Sequence, residues 1–192
     1  MSPTALPEKS CFLISDPSEQ NLQHIAPHLR NNARQKFTNL DKAADIAKIP
    51  RYFCSHSIDI EQSHWMSRPC EINRKRVFDH LYTESSWHNN DLVTAIKSEQ
   101  RQRLFICGFW LDIDLTPIAM EAYVDGFDVH IVSDMVFSRD NFSHDNAMRR
   151  LIQIGVVPIT LCQLIHEWMS WTADQENANS LKLVLDDLIE QK

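Results

Sequence analysis

Residues 103–134 read RLFICGFWLDIDLTPIAMEAYVDGFDVHIVSD, and the reading of this stretch decides the architecture. Arg103-Leu-Phe-Ile-Cys107 is a short apolar run, the pattern of a strand buried on both faces. Residues 115–125 follow as a helix, closed by Gly126 in the position just past the cap, where a left-handed backbone is wanted. Phe127-Asp-Val-His-Ile-Val132 is then a second strand. Toward the C-terminus the alternation continues with a helix over 144–154 ended by Gly155. A last strand, Val156-Val-Pro-Ile159, and helical segments near 161–170 and 174–190 complete this half.

The first half repeats the scheme. Cys11-Phe-Leu-Ile-Ser15 is an apolar strand ended by the turn signal Asp16-Pro17. From about Pro27 to Ile49, Leu29, Ala33, Phe37, Leu40, Ala43, Ala44 and Ala47 recur at three and four, which predicts an amphipathic helix. Pro50 stops it, and Arg51-Tyr-Phe-Cys54 is the next strand. Residues 55–75 read as a long polar loop, Arg76 to His80 as a short strand, and Asn90 or Asp91 as the cap of a helix running to about Ser98. Strand and helix alternating at this spacing imply right-handed crossovers. The expected fold is a three-layer α/β/α sandwich on a mainly parallel sheet: one domain over 11–192, preceded by a tail over 1–10.

Composition narrows the function classes. The 192 residues carry 43% hydrophobic and 23% charged side chains, an ordinary globular balance. A net charge of −7 opposes a phosphate backbone, so no nucleic-acid partner is expected. Three glycines leave no Gly-rich phosphate cradle, and no cofactor is expected. No apolar run reaches the roughly 20 residues of a membrane span, and Met1 to Lys9 lacks the apolar core of a secretory signal. Five cysteines, an odd number and mostly within apolar stretches, fit reduced, buried thiols. A cytoplasmic protein without membrane contact is the expectation.

Folds of this class place their sites beyond the carboxyl ends of the strands. The residues there are Ser15-Asp16, Cys54-Ser55-His56, His80, Gly108 to Asp114, and Ser133-Asp134. Trp87 and Trp110 flank the region as candidate walls of an aromatic pocket, with Cys54 and Ile113 beside them, for a small-molecule ligand or substrate.

The run Leu104 to Asp114, the Ala119-Met-Glu-Ala122 helix and Gly126-Phe-Asp-Val-His-Ile-Val-Ser-Asp134 together resemble the isochorismatase-like hydrolase superfamily. Phe12-Leu-Ile-Ser-Asp16 is similar to its first motif, and Ser86-Trp87-His-Asn-Asn-Asp91-Leu92 to the segment that follows its basic residue. Gly155 and the tail through His166-Glu-Trp168 resemble the YcaC-like branch. The resemblance runs from about 11 to 170. It implies the fold above, a tendency to self-associate and a cysteine-hydrolase site: a thiolate at a helix N-terminus attacks an amide, imide or nitrile carbon, a strand-one aspartate shuttles the proton, and a lysine or arginine balances charge.

Carried over by position, the acid falls on Asp16. The basic position falls on His80, or on Leu81 if the loop is counted differently. The nucleophile position, six residues after Gly108, is Asp114 instead of Cys. Asp114 reads either as a plain helix N-cap or as a carboxylate active as nucleophile or base. Facing Asp16 without a fixed cation, it would share a proton and attack poorly. His80 supplies a cation only when protonated, and a solvated loop histidine is the alternative. Asp16 itself reads either as a site residue or as the cap of the turn at Pro17. Family members that cleave a vinyl ether need only the strand-one acid, so loss of the Cys does not by itself remove activity.

Two further constellations are weaker. Cys54 with His56 fits a relocated thiol and base, although a buried small hydrophobe is the commoner fate of such a Cys. His56 and His64, with Asp59 and Glu61, lie where nicotinamidase-like members hold a metal, but the spacing is not that family's, and no metal is expected. The Trp168 and Trp171 pair continues an apolar stripe with Leu164 and Ile165, either core or a homo-oligomer interface.

Overall fold

The computed structural model describes residues 5–55, 77–79 and 84–190. Six strands form one sheet in the order β3-β2-β1-β4-β5-β6, every neighbouring pair parallel. They are β1 (Ser10–Ser15), β2 (Arg51–Ser55), β3 (Val77–Asp79), β4 (Arg103–Phe109), β5 (Asp128–Phe137) and β6 (Val157–Ile159). The helices are α1 (Glu19–His24), α2 (Pro27–Ile46), α3 (Asn90–Ser98), α4 (Thr116–Val124), α5 (Asn141–Gln153), α6 (Leu161–Trp171) and α7 (Gln175–Glu190). The expected three-layer α/β/α arrangement is what is seen: α2, α6 and α7 pack together, as do α4 and α5.

The local chemistry explains the boundaries. All six residues of β1 are buried, as a central parallel strand requires. Phe12 stacks on Phe105 of β4 at 5.3 Å and takes the edge of Trp168 at 5.8 Å, so α6 is pinned to the middle of the sheet. Asn89, one residue before the expected cap, accepts from the amides of Asp91 and Leu92 to start α3. Asp140 caps α5 through Ser143, and Thr160 with Gln163 forms a capping box on α6. Gly126 adopts φ +92° after α4, as expected. Residues 5–10 do not trail from the fold: Ala5 is buried with its amide on Glu167, and Ser10 already pairs in β1.

Strand order reverses between β1 and β4, since the chain adds β2 and β3 on one side and β5 and β6 on the other. Crossovers on opposite faces open a crevice outside the carboxyl ends of those two strands. The residues that leave β1 and β4 there are Asp16 and the segment Trp110–Asp114. Gly108 makes the approach possible. A Cβ on it would lie 2.0 Å from the Ser15 carbonyl oxygen, and its φ is +118°. No helix among the described residues is long and apolar enough to cross a membrane.

Candidate functional site

Asp16 is buried and left-handed at φ +48°, a conformation that Asp tolerates better than most residues. Each of its polar groups is engaged. Its amide donates to the Cys54 carbonyl at 2.9 Å, and its carbonyl accepts from the amide of Ser18 at 2.7 Å and from Asn21 Nδ2 at 3.0 Å. Its carboxylate Oδ1 accepts from Ser55 Oγ at 2.7 Å. Ser18, and not Asp16, caps α1 by accepting from the Asn21 amide. The Asp16 carboxylate is held by the end of β2 instead.

Asp114 is not the cap of the helix that follows. Leu111–Leu115 forms one π-helical turn, and α4 begins after it with no side-chain cap. The amides of Asp114 and Leu115 both donate to the Trp110 carbonyl, at 2.8 and 3.0 Å, while Thr116 Oγ1 returns to the Leu111 carbonyl at 2.6 Å. A widened turn lifts Asp114 away from the helix N-terminus, which the sequence pattern Asp-Leu-Thr-Pro does not announce. The preceding Phe109–Trp110 peptide is cis.

Cys54 lies within electrostatic reach of both carboxylates. Burial pushes its thiol up to about 11, the nearby Ser86 and Ser15 hydroxyls oppose this, and the charges of Asp16 and Asp114 push it further up. The buried hydroxyls of Ser15 and Ser86 have no other partner among the described residues. At neutral pH Cys54 is thus a neutral thiol facing two acids, the wrong state for a nucleophile. Burial raises Cys107 as well, well above the usual thiol range. Cys11, Cys54 and Cys107 are buried and free, and Cys162 is half-buried and free.

The remaining candidates divide. Trp110 is nearly buried at the crevice, while Ile113, on the π turn, stands 50% exposed. Trp87 does not join Trp110: its indole N–H donates to Asp125 Oδ2 at 3.0 Å, past the far end of α4, and its ring meets Phe127 edge-on. It braces the scaffold instead of walling the crevice. Ser133 and Asp134 are not at a strand end, because β5 bulges and runs on to Phe137. Asp134 pairs with Lys36 at 2.9 Å and accepts from the Leu161 amide at 2.9 Å, tying α2 to α6. His80 and Leu81, the alternatives for the basic position, lie outside the described residues, as do the loop histidines His56 and His64. Among the described residues no three His, Cys, Asp or Glu side chains are grouped to hold a metal.

Sequence reasoning placed Ser55 at a strand end without giving it a role, and passed over Arg139 and His24. Ser55 sat in plain view at the end of β2, but nothing in its neighbours said that its hydroxyl faces Asp16. Arg139 follows the extended end of β5, with its guanidinium carbon 5.7 Å from the Trp110 ring centroid. His24 meets the same ring from α1 at 6.1 Å, tilted edge-on. Neither carries a sequence signal, because both depend on how far β5 runs and where α1 ends.

Comparison with known proteins agrees with this architecture. The isochorismatase domain family model matches residues 10–163. A stretch of 108 residues is 30% identical to the Escherichia coli protein named "Probable hydrolase YcaC"; it covers 54% of this chain and 46% of that protein, so the match spans about half of the relative's length. The crystal structure of the YcaC gene product of Escherichia coli, described as an octameric hydrolase of unknown specificity, superposes with a TM-score of 0.77. That match has 19% identity and covers 100% of this chain and 95% of that one. The MAR1 ribonuclease of Caenorhabditis elegans superposes at 0.74 with 16% identity, over 94% of this chain and 91% of that one. At such identities these two likenesses speak to the fold alone.

Proposed function

This chain belongs to the isochorismatase family, and from that premise we propose that it is a hydrolase homologue whose small-molecule crevice no longer supports thiol-based amide hydrolysis. The observation that carries the reading is the acid at position 114, on a π turn, where the family resemblance places the nucleophilic Cys. Among the described residues no nearby thiol replaces it. Cys54 is buried, protonated at neutral pH and opposed by both carboxylates.

A second reading is favoured by one observation. Asp16 is held at its amide, carbonyl and carboxylate, the preorganisation expected of a group that transfers a proton at a fixed place. In this reading the protein is active on a substrate that needs only proton donation, such as a vinyl ether, or on a small C–N substrate activated by Asp16. A third role, assembly without catalysis, draws on the octameric relative. Trp171 at 53% exposed, Leu183 at 69% and Ile189 at 54% supply an apolar outer surface on α6 and α7 for a second copy.

The test is a screen of amides, nitriles, esters and isochorismate with wild type, Asp16→Asn, Asp114→Asn and Asp114→Cys. The proposal expects no amide or nitrile turnover by wild type and the appearance of turnover in Asp114→Cys. Amide turnover by wild type that survives Asp114→Asn would overturn it. Vinyl-ether turnover by wild type that vanishes in Asp16→Asn would establish the second reading.

A further inference from the structure

Among the described residues Arg139 is a cation with no acid paired to it. The protein has 26 acidic residues against 19 basic ones, yet among the described residues no carboxylate lies within ion-pair distance of its guanidinium. The adjacent Asp140 is committed elsewhere, accepting from Ser143 N at 2.8 Å and Ser143 Oγ at 2.9 Å to cap α5. Arg139 instead lies over the indole of Trp110, 5.7 Å from its centroid. An arginine on an aromatic face keeps its N–H fork free for a planar anion while the ring fixes its plane.

His24 meets the same indole edge-on, with ring centroids 6.1 Å apart. It too is exposed and has no hydrogen-bond or ion-pair partner among the described residues. Three elements with no sequence proximity, the end of α1, the start of the π turn and the end of β5, therefore bring two nitrogen-bearing side chains around one nearly buried Trp. The Trp110 carbonyl binds the amide of Asp114 at 2.8 Å, so this group stands one turn from the acid in the nucleophile position.

We propose that Arg139 and His24, set around the Trp110 indole, form the subsite for the carboxylate end of the small molecule that enters the crevice. The inference rests on reading the crevice as a small-molecule site. It gives the ligand a polarity: the anionic end sits at the rim on Arg139, and the remainder extends over the π turn toward Asp114 and Asp16. It also explains how a crevice with two acids admits an anion, since the charge is met at the rim before the acids are reached.

Calorimetric titration of the full chain at low ionic strength with benzoate, and with benzamide as its neutral counterpart, tests this. The indole N–H signal of Trp110 in ¹H–¹⁵N spectra, assigned by its loss in Trp110→Phe, locates the ligand. The expected result is saturable benzoate binding that shifts this signal, no comparable binding of benzamide, and a loss of about tenfold or more in Arg139→Gln with partial retention in Arg139→Lys. Arg139 is exposed, so thermal melts of these variants should match wild type. Equal binding of benzamide, an unchanged affinity in Arg139→Gln, or no saturable benzoate binding would each overturn the proposal. The substrate screen separates it from the reading on which it rests: benzoate bound through Arg139 by a wild-type protein that also turns over amides upholds the subsite and overturns the loss of thiol-based hydrolysis.

Discussion

Ser55 Oγ donates to Asp16 Oδ1 at 2.7 Å, joining the last residue of β2 to the residue that leaves β1. Both residues are buried, and the bond crosses the sheet where two parallel strands end in register, Ser15 beside Cys54. A hydroxyl donating to a carboxylate favours its ionised form. Ser55→Ala takes this donor from a buried carboxylate and should lower stability by about 1–3 kcal/mol, read as a lower urea midpoint, while Ser55→Thr keeps a hydroxyl and should stay near wild type. A Ser55→Ala midpoint equal to that of wild type would mean that the other contacts of Asp16 suffice to hold it.

Gly108 is expected to be irreplaceable. An added Cβ would meet the Ser15 carbonyl oxygen at 2.0 Å, with Ser15 N at 2.7 Å, all backbone atoms of the central strand. The left-handed φ adds its own penalty. Gly108→Ala should lose at least about 3 kcal/mol, read as a large drop in the urea midpoint. A variant of near wild-type stability would show that β1 and β4 can part at their carboxyl ends.

The opposite end of the sheet carries a pH-dependent stability term. His130 is buried beside Asp128, 3.3 Å from its Oδ1, with Arg103 on the same carboxylate at 2.9 Å and the charge of Glu167 contributing from α6. Burial holds its imidazole below the usual value, and Asp128 opposes this only in part. In the unfolded chain the imidazole takes up its proton near about 6.5, and in the folded chain only at lower pH. Between those points the unfolded state binds more protons, so stability falls as pH is lowered from about 6.5. Denaturant unfolding at neutral and mildly acidic pH should show the fall, and His130→Phe should flatten it.

The two C-terminal tryptophans should behave oppositely. Trp168 is fully buried against Phe12, whereas Trp171 is 53% exposed. Trp168→Ala should cost about 3–5 kcal/mol through the cavity it leaves. Trp171→Ala should change the melting transition by no more than about 0.5 kcal/mol, while lowering the assembled mass by light scattering if this face meets a second copy. Equal destabilisation by both would place Trp171 in the folding core.

The strands were legible because a parallel sheet covered on both faces needs unbroken apolar runs, and Cys11 to Ile14, Tyr52 to Cys54 and Leu104 to Cys107 are such runs. The site was legible only at its anchor. Asp16 follows a recognisable strand, so its place at a carboxyl end could be read directly. Asp114 was located but misjudged as a possible cap, because a π turn and an ordinary helix start share the same local residues. Ser133 and Asp134 were misplaced because the β5 bulge depends on its pairing with Gly108 and Phe109, and Trp87 because its indole partner lies 38 residues away.

Periodicity and turn residues thus determine by themselves the order of strands and helices, the parallel sheet and the position of an acid after β1, since each depends on neighbours in the chain. Which groups face that acid is decided only by tertiary structure. Ser55 reaches Asp16, both acids bear on Cys54, and Arg139 and His24 converge on Trp110 because the strand order reverses between β1 and β4, bringing distant segments to one crevice. Side-chain chemistry of this kind acts over a few ångströms in space, and no local pattern in the chain encodes that distance.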